Sequence, residues 1–267
     1  MSGIDAYGVG ATRGFTQPGD EQWVTGLQHS IDVVGRRVRN LGLLVTPGQS
    51  IDNAIHVLPE TGGRIILGEG EHIVRDQIRV KKPVAFVSFA PNRTTVRRTE
   101  VTSLAIFWAD SPNVAFDGIT FSDEAKAGVC VRATGDNCVI KNCVFKSFKY
   151  AVHSNQDDES KHSSWSSLIN NRFVGPGLAT VTQGADGKYI YEPPVNLEHG
   201  NQWVVHGNHF GEWTADTSIS DETNVILGGA TFSYSSITTN IAPTAQIKYK
   251  GGFSNGAQAN VSVVVVY

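Results

Sequence analysis

The chain has 267 residues, with 28 glycines, a single methionine and a formal net charge of −3. That length suits one domain with appendages, and the near-neutral charge argues against nucleic acid or an anionic membrane as the main partner. No apolar run approaches the ~18 residues of a membrane span, so no membrane insertion is expected. Residues 1–20 are rich in Gly, Thr and Pro and read as an extended arm. They show neither a basic start nor an apolar segment, so no secretory leader is expected. Trp23, Leu27, Ile31, Val34 and Val38 follow at helical spacing, which predicts a short amphipathic helix over residues 21–42. Arg36, Arg37 and Arg39 fall near its C-terminus, where the helix dipole favours positive charge. Residues 1–46 are therefore an arm and capping helix, and Trp23 with these arginines could dock onto a partner.

From Pro47 the sequence reads PGQSIDNAIHVLPETGGRIILGEGEHIV. Ser50 is placed to cap a short helix whose Ala54, Ile55 and Leu58 share one face. A Gly-Gly break and a strand RIIL come next. Between residues 75 and 98, Arg75, Arg79, Lys81, Lys82, Arg93, Arg97 and Arg98 face a single acid, Asp76. A solvated outer face explains such a zone. A docking surface for an acidic partner or an anionic glycan, with Arg75, Arg79, Arg97 and Arg98 at its centre, explains it too.

Four segments then share one six-residue template: FDGITF (116–121), IKNCVF (140–145), LINNRF (168–173) and VHGNHF (205–210). The third slot holds only Gly118, Asn142, Asn170 and Gly207. Gly and Asn are the residues that enter the left-handed region at low cost. Each template therefore reads as two short strands joined by one left-handed residue, with side chains alternating in and out on either side. The closing residues Phe121, Phe145, Phe173 and Phe210 are separated by 24, 28 and 37 positions. Repeats of that size, each one supersecondary unit, mark a solenoid, whereas a β-sandwich, the rival fold, turns every 8–12 residues. The long third interval predicts an inserted hairpin around Asp186-Gly187. Cys130, Cys138 and Cys143 match no zinc spacing and read as reduced core residues.

The stretches SIDNAI…GGRIILGEGEHIV, NVAFDGITF, NCVIKNCVFKSFKYAV and SSLINNRF together resemble pectate-lyase-like right-handed parallel β-helices. Many phage tailspikes, fibres and capsid-decorating proteins are built this way. The resemblance implies an all-β, single-stranded parallel β-helix over residues 47–212, and it says little about chemistry. The sets of carboxylates that β-helix enzymes use are not legible here. Asp157, Asp158 and Glu159, in the polar loop NQDDESKHSSW, are the weak candidates for catalysis, and a solvated turn explains them equally well. The eight histidines make no metal spacing, and no cofactor is expected.

Residues 213–267 lose the template and end in VSVVVVY. Val261, Val263 and Val265 alternate with Val264 and Val266, so both faces of this strand are apolar and need cover. A C-terminal β region that closes a homotrimer would supply it. The expected protein is a phage virion component anchored to capsid or tail proteins through its arm. It could also contact surface glycans. A tailspike-type polysaccharide lyase or hydrolase is the alternative.

Overall fold

The computed structural model describes residues 42–100, 102, 104–125, 128–154, 163–174, 181–183, 189–191, 195–197, 200–201, 203–211, 227–233, 236–238, 249–252 and 260–262. Two compact units divide the chain, residues 1–43 and 44–267. In the first, only Gly42 and Leu43 are described, and Leu43 begins a short strand, Leu43–Val45. The expected arm, the helix over 21–42, Trp23 and the arginines at 36, 37 and 39 lie outside the described residues.

The second unit is a parallel β-helix. Each coil runs through three short strands, one per sheet, and successive coils add strands in parallel. The first sheet has nine strands: Leu43–Val45, Gly63–Leu67, Val84–Ser88, Ala115–Asp117, Val139–Lys141, Ser167–Ile169, Val204–His206, Ser236–Thr238 and Asn260–Ser262. The second sheet runs from Gly70–Ile73 through Thr94–Arg98, Thr120–Asp123, Val144–Lys146 and Arg172–Val174 to His209–Gly211. The third begins Ile78–Val80, Ala105–Ala109, Val129–Ala133 and Tyr150–His153, then continues with Val195–Asn196 and Leu227–Ser233. An antiparallel hairpin, Val181–Gln183 with Tyr189–Tyr191, occupies the predicted insertion.

Most of these strands have three to five residues, which follows from the period-two pattern cut by left-handed residues. Gly118, Asn142, Asn170 and Gly207 have φ of 73°, 53°, 53° and 66° and join the first sheet to the second. Gly207 must stay small, because a Cβ there would collide with the side-chain oxygen of Asn170 one coil away. Asn142 uses its side chain as well, donating to Asp117 Oδ1 at 2.9 Å. Asn142→Val should therefore lower stability by about 1–2 kcal/mol, measured by urea denaturation, while Asn142→Gly stays close to wild type.

A second left-handed corner precedes the first sheet. Gly62, Asn113, Asn137 and Trp165 hold it with φ of 81°, 61°, 55° and 59°. Each lies three residues before an interior position of the first sheet: Ile65, Phe116, Ile140 and Leu168. Trp165 hides this column in the sequence, since only its first three members carry the Gly/Asn signal.

The interior is a set of columns along the helix axis. In the first sheet, Ile65, Phe86, Phe116, Ile140, Leu168 and Val205 are in register and buried. In the second, His72, Val96, Phe121, Phe145, Phe173 and Phe210 are in register. Behind the left-handed corner lies a further buried column, Ile119, Cys143, Asn171 and Asn208. Its two asparagines are fully bonded: Asn171 Oδ1 accepts from Cys143 N at 2.9 Å and its Nδ2 donates to Ile140 O at 2.9 Å. Asn208 Oδ1 accepts from Asn171 N at 2.9 Å, and Asn208 Nδ2 donates to Leu168 O at 2.8 Å. Buried amides are tolerated here because every bond they need comes from the coil before or after.

His72 is the exception among the columns. Its Nε2 lies 3.0 Å from Gly68 O, but its buried Nδ1 has no partner. Gly68 O also accepts from Thr94 Oγ1 at 3.1 Å, so it stays bonded without the imidazole. His72→Leu is expected to be neutral or stabilising by about 1 kcal/mol, read from the urea midpoint, because it removes an unpaired buried acceptor.

The helix at the start is Ile51–Val57, with Ser50 Oγ accepting from Asn53 N at 3.1 Å and Ile51 and Ile55 buried. Parallel pairing does not stop at residue 212 as expected. Ile237 pairs with Val205, and Val261 with Ile237, so Ser236–Thr238 and Asn260–Ser262 extend the first sheet. The correction has a simple origin: the template's Gly/Asn and Phe slots are filled by other residues there, so the repeat persists in the backbone after it fades from the sequence. Val261 thus holds a register position in the interior column rather than on a separate closing strand. Val263, Val264, Val265 and Val266 lie outside the described residues.

Candidate functional site

The expected basic surface is largely neutralised by acids from neighbouring coils. Arg79 donates from Nε to Asp110 Oδ2 at 2.8 Å. Arg93 meets Glu69 at 3.2 Å, and Arg97 bridges Glu71 at 3.0 Å and Glu124 at 3.2 Å. Lys82 pairs with Glu60 at 3.1 Å and donates to Leu58 O at 2.7 Å. Arg98 is no docking residue: it is fully buried and bonded to the equally buried Asp123. Arg75 remains exposed at the start of the helix. The sequence shows the cations as a cluster because they are consecutive. Their partners stand one coil away, 22–31 positions along the chain.

A different constellation stands on the outer face of the third sheet. Parallel register aligns Arg79, Trp108, Arg132, His153 and Asn196 on successive coils. The Arg79 guanidinium carbon sits 3.9 Å from the Trp108 ring centroid, and that of Arg132 sits at 5.4 Å. Trp108 Nε1 donates to Thr134 Oγ1 at 2.7 Å, which fixes the indole. Tyr150 stacks on His153 with centroids 4.9 Å apart, and Lys149 Nζ lies 5.3 Å from the Tyr150 ring. Two guanidinium groups are held against one indole, Arg79 already paired with Asp110, so the row is pre-ordered and little rotamer entropy remains to be lost on binding a ligand. Sequence reading missed Trp108, Arg132 and Asp110. The available signal was the 24-residue interval between Trp108 and Arg132, the same as between Phe121 and Phe145.

Asp157, Asp158 and Glu159 lie outside the described residues. Among the described residues, no group of three or more His, Cys, Asp or Glu side chains is placed to hold a metal ion. The three cysteines are buried and unpaired. Burial pushes the Cys138 and Cys143 thiols up to about 12 and raises Cys130 well above the ordinary thiol value, with Asp123 adding to the latter. Such thiols are inert at neutral pH.

No family model matches the chain, and no curated protein matches it. Among solved structures, it is similar to ORF18 of Geobacillus virus E2, at 12% identity and a TM-score of 0.40, over 91% of this chain and 63% of that one. It is also similar to the PL6 family alginate lyase AlyGC, at 13% identity and a TM-score of 0.49, over 84% of this chain and 39% of the lyase. Pectin methylesterase PemA from Erwinia chrysanthemi shows 11% identity and a TM-score of 0.43, over 82% of this chain and 91% of the esterase. The chain therefore spans less than two thirds of the phage protein and of the lyase.

Proposed function

We propose that the chain is a structural protein of a phage virion, a short fibre or capsid-decorating protein that presents a parallel β-helix as a homotrimer. In this reading residues 1–46 anchor it to capsid or tail proteins, and it is made in the host cytoplasm. One observation carries the proposal: among the described residues, six carboxylates are committed to holding coils together. Asp110, Asp117, Asp123, Glu69, Glu71 and Glu124 each face a cation on an adjacent coil. Carboxylates that cleave glycans must instead converge on a substrate. Coil-to-coil ion pairs, the paired asparagines and the stacked phenylalanines are features of a rod built to stay rigid. The resemblance of the opening motif to phage β-helices points the same way.

The test is localisation. Antibodies against the purified protein should label intact particles at a fixed site in electron micrographs, and the protein should sediment with them. A protein that stays in the soluble fraction of lysed hosts and is absent from washed particles would refute the proposal.

A second reading has its own support. The Arg79–Trp108–Arg132 row suits an acidic polysaccharide, so the chain could bind, or as a lyase or hydrolase cleave, a host surface glycan. Retention on immobilised acidic exopolysaccharide that is lost in Arg132→Ala would favour it, and release of oligosaccharides would make it an enzyme.

A further inference from the structure

We propose that the outer face of the first sheet is the surface through which copies of this chain meet. The inference rests on the homotrimer of the preceding reading and adds the face that forms it. Of the seven large apolar side chains exposed among the described residues, four lie on or beside this sheet: Leu44 (58% exposed), Phe89 (70%), Trp165 (66%) and Val204 (41%). Between them several outward positions are small or apolar, with Ala85, Val87, Ala115, Val139 and Ile169 all half-buried, beside Asp117, Lys141 and His206. The other two faces carry charged side chains as well. The second sheet presents Glu71, Arg97, Lys146 and Arg172, and the third presents Arg79 and Arg132.

Trp165 points to function independently of this patch. It occupies a left-handed corner, φ 59°, that Gly62, Asn113 and Asn137 occupy on other coils. A bulky residue there costs about 1–2 kcal/mol, and Trp165 recovers little of it in the lone chain because two thirds of its surface is exposed. Exposed strain of this kind belongs to contact sites, and tryptophan is the residue most enriched among interface anchors.

The occupant is a second copy rather than a charged partner. Among the described residues, the charged groups in the middle of the face are Asp117 and Lys141, which bond each other at 3.2 Å, and Arg64 lies at one end. A self-neutralised face can meet its own copy without like-charge repulsion. Nine strands spaced about 4.8 Å apart give a length near 40 Å, and with a width of roughly 15–20 Å the face offers on the order of 600–800 Å², which a threefold arrangement shares between two neighbours, so that three copies together bury about 1,800–2,400 Å². Three copies can turn this face toward a common axis.

The experiment uses the full chain and analytical ultracentrifugation. Wild type should sediment as a trimer, and Val139→Glu should shift it toward monomer. Trp165→Asn should weaken association at least tenfold while the dissociated chain melts at a higher temperature, because strain is relieved. Lys146→Glu, on the second sheet, should leave assembly unchanged. Ser167→Cys provides a second measurement that keeps the face intact, since the native thiols are buried and do not label. A spin label there should show dipolar coupling between copies. A wild-type chain that is monomeric at all concentrations would overturn the homotrimer itself. A trimer unaffected by Val139→Glu and Trp165→Asn, with no coupling at position 167, would overturn this face and leave the trimer standing.

Discussion

Asp123→Asn is expected to lower the stability of the β-helix by about 3–5 kcal/mol, read as a large fall in the urea midpoint. Arg98 and Asp123 are register partners on adjacent coils, and both side chains are fully excluded from water. Arg98 Nη2 lies 3.0 Å from Asp123 Oδ2 and its Nε 3.3 Å from Oδ1. Each partner is also tied to the corner beside it: Arg98 Nη1 donates to Leu104 O at 2.7 Å, and Asp123 Oδ2 accepts from Gly128 N at 2.9 Å. The packing leaves no slack, because a Cβ on Gly128 would collide with Arg98 Nη2. Removing the carboxylate charge leaves a guanidinium in the interior without compensation, and the penalty is for that stranded charge rather than for the lost bond. The double variant Arg98→Met/Asp123→Leu separates the two effects. It should recover most of the loss, short by about 1 kcal/mol for each of the two backbone groups left without a partner. A double variant as unstable as Asp123→Asn would show that the pair itself, not the stranded charge, sets the cost.

The same pair shows what the sequence could and could not tell. Arg98 ends the run TTVRR beside Arg97 and reads there as one more surface cation. Strand alternation puts Arg97 and Arg98 on opposite faces, but whether an inward arginine is tolerable depends on Asp123, 25 residues later. Nothing local announces that partner. The interior columns were legible because each coil repeats its own local demand: a left-handed residue that only Gly or Asn meets cheaply, then an inward Phe two strand positions later. Legibility failed where a coil broke that demand. Trp165 filled a left-handed corner, and Ile237 and Val261 carried the column on after the template's other slots had changed. The third-sheet row failed for another reason. Arg79, Trp108 and Arg132 sit in segments with no common motif, and only the parallel register brings them side by side.

Phe145→Ala should carry the other large effect, about 3–5 kcal/mol. Phe145 is fully buried between Phe121, at 5.2 Å and 15° between ring planes, and Phe173, at 5.0 Å and 6°. Truncation removes both stacking contacts, worth about 0.5–1.5 kcal/mol each beyond burial, and leaves a cavity that the backbone cannot close. Three sheets bonded above and below hold each coil at fixed spacing, so the neighbours cannot collapse inward as they could around a helix. In a solenoid each coil is stabilised chiefly by the next, so the damage should divide the rod rather than soften it evenly. Amide exchange should accelerate most in Val144–Lys146 and Arg172–Val174, while Thr94–Arg98 retains its protection, and the urea transition should broaden or split. Phe145→Leu, which keeps most of the volume, should cost less than about 1.5 kcal/mol and leave one sharp transition. If Phe145→Ala instead loses under 1 kcal/mol, or lowers protection equally at both ends of the second sheet, then the stacked column is not what couples the coils, and that role passes to the hydrogen-bonded ladders and the paired asparagines beside it.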